Sequence, residues 1–275
     1  MSAPTSQPRV EPVGPVRIRV ESLTKRHEGR TVLDAVSLEV RAGEVLGIVG
    51  PGGHGKSVLL KHLPGLLIPD RGRVLLDDKD LATLSAFELA RAREGIGYLF
   101  QNYALFDFMT VADNLAFPLR QERRHTPADI EKKVRAALDA VGLARAYTQF
   151  PRELSGGMKK RVGLARATIT RPSIALYDDP SAGLDPVTSS RIFALIADMH
   201  ASMADQAQAA ASVVVSHDID RMRAVVDRWI VLEHGRVVFS GDHAGLAHAL
   251  AHAPTPLLAS FFADAPLPVA PRGAR

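Results

Sequence analysis

The stretch Gly50-Pro51-Gly52-Gly53-His54-Gly55-Lys56-Ser57 constrains this chain more than any other. It fills G-x-x-x-x-G-K-[ST] completely. The apolar run Val45-Leu-Gly-Ile-Val49 stands directly before it, as a strand buried on both faces would. Closely spaced glycines let successive backbone N–H groups turn inward around one anion, and a helix opening at the end of the loop adds its positive pole. Residues 50–57 are therefore expected to cradle phosphate. Lys56 should reach the outer phosphates and Ser57 should place its hydroxyl on Mg²⁺. His54 sits in the same loop, with its ring expected to take no part in the chemistry.

A second segment completes the pattern. Ile174-Ala-Leu-Tyr-Asp178 is an apolar strand ending in a carboxylate, which places Asp178 beside the loop as a Mg²⁺ ligand, usually through water. Around these two strands the apolar periodicity changes with position. Val16–Val20 and Val32–Val40 alternate as strands about a turn at Gly29. Arg73–Leu76 and Gly97–Phe100 are further short strands, and Asp77–Asp80 closes a hairpin. Residues 103–170 read as helical. Thr126-Pro127-Ala128-Asp129 is a capped helix start, and Gly142 a stop. A further helix runs from Ser155 to Ile169, and another opens at Asp185-Pro186. Strands return at Ser212–Ser216, and Trp229–Leu232 pairs with Arg236–Phe239 about His234-Gly235. Strands alternating with helices predict an α/β fold with a mainly parallel sheet, interrupted by a helical insertion.

Composition removes several classes. Hydrophobic residues make up 46% and charged residues 23%, enough apolar chain for a full core and too much for disorder. With 0 cysteines there is no disulfide frame, thiolate zinc site or cysteine nucleophile. A net charge of +4 without a long basic block makes no case for nucleic acid, though it suits an anionic membrane surface. The longest uncharged run, His243–Ala263, carries three histidines and two prolines and fails as a membrane span. Residues 1–15 are proline-rich and read as a disordered leader, 16–253 as one domain and 254–275 as a tail.

Leu154-Ser155-Gly156-Gly157-Met158, continuing KKRVGLARA to residue 167, resembles the signature of ABC-transporter ATPases. YLFQ (98–101), DDPSAGLDP (178–186) and VVVSHD (213–218) are similar to that family's other motifs, in the family's order. The resemblance spans residues 16–245. It implies a RecA-like P-loop core with an N-terminal antiparallel β subdomain and an inserted helical subdomain at about 103–170. It also implies two chains packed head to tail around two ATP molecules. In that arrangement Ser155, Gly156 and Gly157 of one chain cover the γ-phosphate bound by the other. Ser155 as a helix cap with free N–H groups beyond it suits such a role. Gln101 would contact Mg²⁺ and the attacking water, His217 the γ-phosphate, and Asp185 the opposite monomer. Lys159, Lys160 and Arg161 are expected to form a solvated or interface-facing basic turn.

Two positions depart from the family pattern. Asp179 stands where a glutamate general base is usual, and its reach is shorter by ~1.3–1.5 Å, on a scale where about 1 Å can cost ~10²-fold in rate. His27 stands where an aromatic ring stacks on adenine. Met158 and the stretches 100–120 and 213–241 most resemble the Mla/MCE-type bacterial lipid-transport ATPases, the group that includes the organic-solvent-tolerance ATPases. That implies an integral permease, an MCE-type lipid-binding protein and a peripheral place on the cytoplasmic face of the inner membrane. The alternative within the family is an importer of amino acids or metal chelates. ABC proteins of DNA repair or translation fit poorly, because Ser57 to Leu154 leaves no room for a long coiled coil. Tyr103, Leu105, Phe106, Phe108 and Met109 form an apolar cluster that either receives the permease or fills the insertion's own core. The apolar segment Pro256–Phe262 either folds back on its own domain or docks on a neighbour, with the partner contact the favoured expectation.

Overall fold

The computed structural model describes residues 14–204, 210–252 and 256–262. Most of the expected leader and the chain after residue 262 lie outside these. Strands β1 (Val16–His27), β2 (Arg30–Arg41), β4 (Arg71–Leu76) and β5 (Lys79–Asp80) form an antiparallel sheet in the order β2-β1-β4-β5. The second sheet has the order β10-β9-β3-β8-β7-β6. Its members are β3 (Val45–Val49), β6 (Ile96–Leu99), β7 (Ile174–Asp178), β8 (Ala211–Val215), β9 (Arg228–Glu233) and β10 (Arg236–Asp242). All its pairings are parallel except β9 with β10.

The short apolar strands are central because they can fill both faces of a sheet. Leu46 and Ile48 of β3, Ile174 and Leu176 of β7, Val213 and Val215 of β8, and Ile230 and Leu232 of β9 face one core. That core is shared with the antiparallel sheet and helix α1 (Lys56–His62). The alternate residues Val45, Val49, Ala175, Tyr177, Val214, Trp229 and Val231 face a second core. Helix α6 (Pro186–Ala204) and the late helices α7 (Ile219–Met222), α8 (His243–His252) and α9 (Pro256–Phe262) close that face. Helix α2 (Ala86–Arg93), which periodicity did not suggest, is set by a capping box between Ser85 and Glu88.

Helices α3 (Val111–Gln121), α4 (Pro127–Ala140) and α5 (Gly156–Thr168) enclose a third core built on Leu115, Leu119, Val134, Leu138 and Val162. Thr126 and Asp129 form the expected box at the start of α4. The insertion is not helical from residue 103, however. Tyr103 and Ala104 take positive φ values of 62° and 50°, which no helix accommodates, and α3 begins only after Thr110 caps it. Helix α5 also presses against β6. A Cβ on Gly97 would strike the carbonyl of Ala167, so only glycine allows this approach.

The C-terminal helix corrects one expectation. Leu258 and Phe262 are buried, and the Phe262 ring meets Trp229 edge to face at 5.6 Å. Leu258 and Phe262 of α9 thus join the chain's own second core.

Candidate active site

Strands β3, β8 and β7 are neighbours, and their carboxyl ends deliver the site, where a parallel sheet gathers ligand loops. From β3 comes the glycine loop. Gly50 has a φ of 151°, and a Cβ there would collide with the carbonyl of Leu232. Lys56 is buried, and its Nζ donates to the carbonyls of Gly50 at 2.8 Å and Pro51 at 2.7 Å. Burial lowers its pKa, against the opposing pull of Asp179 and Asp178.

From β7 comes Asp178, buried and accepting from the Ser57 hydroxyl at 2.7 Å. Burial pushes its carboxyl upward, only partly opposed by the Ser57 hydrogen bond. A desolvated carboxylate and a hydroxyl in direct contact are hard oxygen donors, and a divalent cation is the group that would relieve their burial. These residues fit Mg²⁺, and the glycine loop with Lys56 fits the phosphates that accompany it. Tyr98, on β6, brings its phenol beside Asp178. Burial, followed by that carboxylate, raises the phenol well above its ordinary value.

Asp179 follows at the strand end with a φ of 47°. Its N–H donates to the Val215 carbonyl at 2.8 Å, and its Oδ1 accepts from the Ser216 hydroxyl at 3.2 Å. The His217 Nε2 lies 3.9 Å from Oδ2, and that imidazole is 51% exposed. A cavity of about 540 Å³ opens here, lined by Asp179, Ser181, Leu184, Ser189, His217 and Asp218 among others. The structure thus joins Lys56, Ser57, Asp178, Asp179 and His217. Ser216, which sequence reasoning gave no role, sits between the last two.

The other expected residues lie around this cluster. Gln101 is exposed just beyond β6. Ser155 caps α5, accepting from the Met158 N–H at 3.3 Å, and Gly156 is exposed beside it. Gly157 approaches Thr188, where an added Cβ would come within 2.9 Å of Cγ2. Asp185 caps α6, accepting from the N–H groups of Val187 and Thr188 and from the Thr188 hydroxyl at 2.6 Å. Those bonds hold its carboxyl below the usual range. His27 is the exposed last residue of β1 and pairs with Arg30 across the turn. The His54 ring stacks on His234 at 4.6 Å, and its Nδ1 accepts from the His234 N–H at 3.1 Å. Burial, then His234, lowers its pKa. The β9–β10 turn thereby braces the loop, a contact for which only the His-Gly turn was visible in the sequence.

The basic turn corrects a second expectation. Lys160 is 1% exposed rather than solvated. Its Nζ donates to the Asp179 carbonyl at 2.8 Å and approaches the Gln101 carbonyl at 3.5 Å. Arg161 donates to the Val141 carbonyl at 2.9 Å. In the apolar cluster after Gln101, Leu105 packs on the insertion's core, while Phe108 is 77% exposed and its ring lies beside Phe106. Arg166 of α5 donates to the carbonyls of Tyr103 and Ala104, fixing the turn that carries these rings.

A glycine-rich loop between a buried strand and a helix, with a lysine and a hydroxyl at its end and a buried carboxylate two strands away, defines a P-loop nucleotide-binding ATPase domain. The chain belongs to the ABC transporter family, whose model matches residues 33–182. The probable ribonucleotide transport ATP-binding protein Mkl of Mycobacterium leprae is 42% identical over 230 residues, covering 84% of this chain and 65% of that protein. This chain thus spans just under two thirds of the length of the first curated relatives it matches. The intermembrane phospholipid transport system ATP-binding protein MlaF of Haemophilus influenzae is 37% identical over 225 residues, covering 82% of this chain and 83% of that one. Among solved structures, the dimeric ATP-binding cassette MJ0796 in a post-hydrolysis state with ADP and Pi superposes with a TM-score of 0.74 at 30% identity. It covers 82% of this chain and 98% of that one.

Proposed function

We propose that this chain is the ATP-hydrolysing subunit of a lipid-transporting ABC system, driving phospholipid movement through a partner permease together with an MCE-type lipid-binding protein. The observation that carries the lipid reading is the match to MlaF, which runs along most of both chains. Met158 after the signature glycines and the stretches 100–120 and 213–241 support it. Among the described residues no helix is long and apolar enough to cross a membrane. This suits a subunit held at the cytoplasmic face of the inner membrane by its permease, with Phe108 and its neighbours offered to that partner.

In this reading Lys56 exchanges its two carbonyl acceptors for phosphate oxygens, and Ser57 with Asp178 holds Mg²⁺. When bound there, Mg²⁺ would supply neutralisation of the phosphate charge that develops in phosphoryl transfer. Asp179 accepts the proton of the attacking water, with Ser216 fixing one carboxylate oxygen and His217 facing the other. Two chains pack head to tail, so that Ser155, Gly156 and Gly157 of one close over the nucleotide of the second. His27 lies against the base, Gln101 reaches the water, and Asp185 faces the opposite chain.

Co-purification from native membranes tests the lipid reading. A permease, an MCE-type protein and phospholipid should accompany the tagged chain and be identified by mass. A permease recovered with an amino-acid or chelate-binding partner and without lipid would replace this reading with that of a solute importer.

A further inference from the structure

A lysine ammonium buried to 1% exposure is costly, and a methionine of similar volume would fill the same space without that cost. The acceptors of Lys160 are main-chain carbonyls, with the Tyr103 ring face 5.3 Å away. The nearer carbonyl belongs to Asp179, a non-glycine residue held in the left-handed region. Such a conformation persists only where its surroundings over-determine it. Here the N–H is held by the Val215 carbonyl at 2.8 Å, and the C=O accepts from Lys160 at 2.8 Å and, at a longer 3.2 Å, from the Ala182 N–H.

We propose that Lys160 is a positioning residue for the hydrolytic carboxylate, gripping the backbone of Asp179 from the helix that carries Ser155. An aspartate has one side-chain torsion fewer than a glutamate before its carboxyl, so its aim is set more directly by backbone orientation. A short side chain needs a fixed backbone, and Lys160 supplies the shorter of the two hydrogen bonds at the Asp179 carbonyl, the one that comes from outside the turn. The same ammonium lies near the carbonyl of Gln101. Helix α5 thus carries the signature residues at its start and, through Lys160, contacts the backbone of Asp179 and of Gln101. This rests on Asp179 being the general base.

The test compares Lys160→Met, which keeps volume and loses the donor, with Lys160→Gln, whose amide still donates. Three quantities are read: turnover and KM, affinity for a fluorescent ATP analogue, and hydrogen exchange of the peptide covering 177–181 in the nucleotide-free chain. Lys160→Met should lower kcat about 10- to 100-fold, leave KM and nucleotide affinity within about twofold, and speed the exchange. Lys160→Gln should restore most of both. Wild-type turnover in Lys160→Met overturns the proposal, as does a Lys160→Gln no better than Met, since packing alone would then explain the loss. Asp179→Asn run beside them separates the two readings. If it hydrolyses ATP at the wild-type rate, the base assignment has failed, while exchange still reports whether Lys160 grips the backbone.

Discussion

Replacing Asp179 with glutamate tests whether a short side chain limits this site. The Asp179 Oδ2 stands 3.9 Å from the His217 Nε2, beyond the ~2.6–3.2 Å at which a base and its partner share a proton. The backbone is held at its N–H and its C=O, which opposes a shift that would close the gap. One methylene adds about 1.3–1.5 Å of reach, one C–C bond projected along the side chain. That brings the carboxylate into hydrogen-bonding range without moving β7 or β8. If a misplacement of about 1 Å costs up to ~10²-fold, recovering part of it should raise kcat about three- to tenfold, or roughly 0.7–1.4 kcal/mol of barrier. KM for ATP should change little, because Lys56 and the glycine loop are untouched. The assay is steady-state phosphate release from the transporter reconstituted in its membrane, with Asp179→Asn as the companion. The asparagine should bind ATP and hydrolyse none. A glutamate variant slower than wild type would refute the reasoning, since it would mean that the cavity beside Asp179 has contracted around the shorter residue.

Four further outcomes follow from the geometry. Lys56→Ala should abolish turnover in the assembled transporter, measured as phosphate release. Mixing Lys56→Ala chains with Ser155→Arg chains should restore partial activity, because each heterodimer would keep one intact composite site; no recovery would count against head-to-tail packing. Phe262→Ala should destabilise the domain by about 3–5 kcal/mol in denaturant unfolding, because the ring is buried against Trp229. His62 is buried and its pKa is lowered from 6.5, chiefly by burial. The unfolded chain therefore binds more protons as pH falls through 6.5, and His62 costs stability below that pH by up to about 1.4 kcal/mol per unit. Acidification from pH 7.5 to 5.5 should weaken the wild type more than His62→Leu; equal losses would show that His62 is not the cause.

The parts legible in the sequence were those where one residue type answers one physical need. The glycine loop, the apolar strands before Gly50 and through Asp178, and the Thr126–Asp129 cap carry their reasons in local spacing. Helix α2 was equally legible in Ser85-Ala-Phe-Glu88, but its apolar stripe is weak and its residues stay largely exposed, so periodicity passed over it. Lys160 was misread for a different reason. A lysine in a helix defaults to solvent, and its burial depends on β7 and the Gln101 segment meeting above α5, a tertiary fact with no local trace. The same holds for His54 on His234, which chain distance hides, and for Phe262, whose partner Trp229 lies on another element.

The strand order has a consequence for synthesis of the chain. Strand β3 is flanked by β8 and β9, and both are made after the whole helical insertion. At ribosomal rates of ~5–20 residues per second, about 10–40 s pass between the emergence of Val49 and that of Glu233. For most of that interval, until Val215 emerges, Val45–Val49 has neither of its sheet neighbours, and only when Glu233 follows does it have both. The glycine loop's own strand is thus an exposed adhesive segment during translation, protected by whatever binds nascent chains. Slowing synthesis between α5 and β8 should lower the soluble yield more than slowing it after β10.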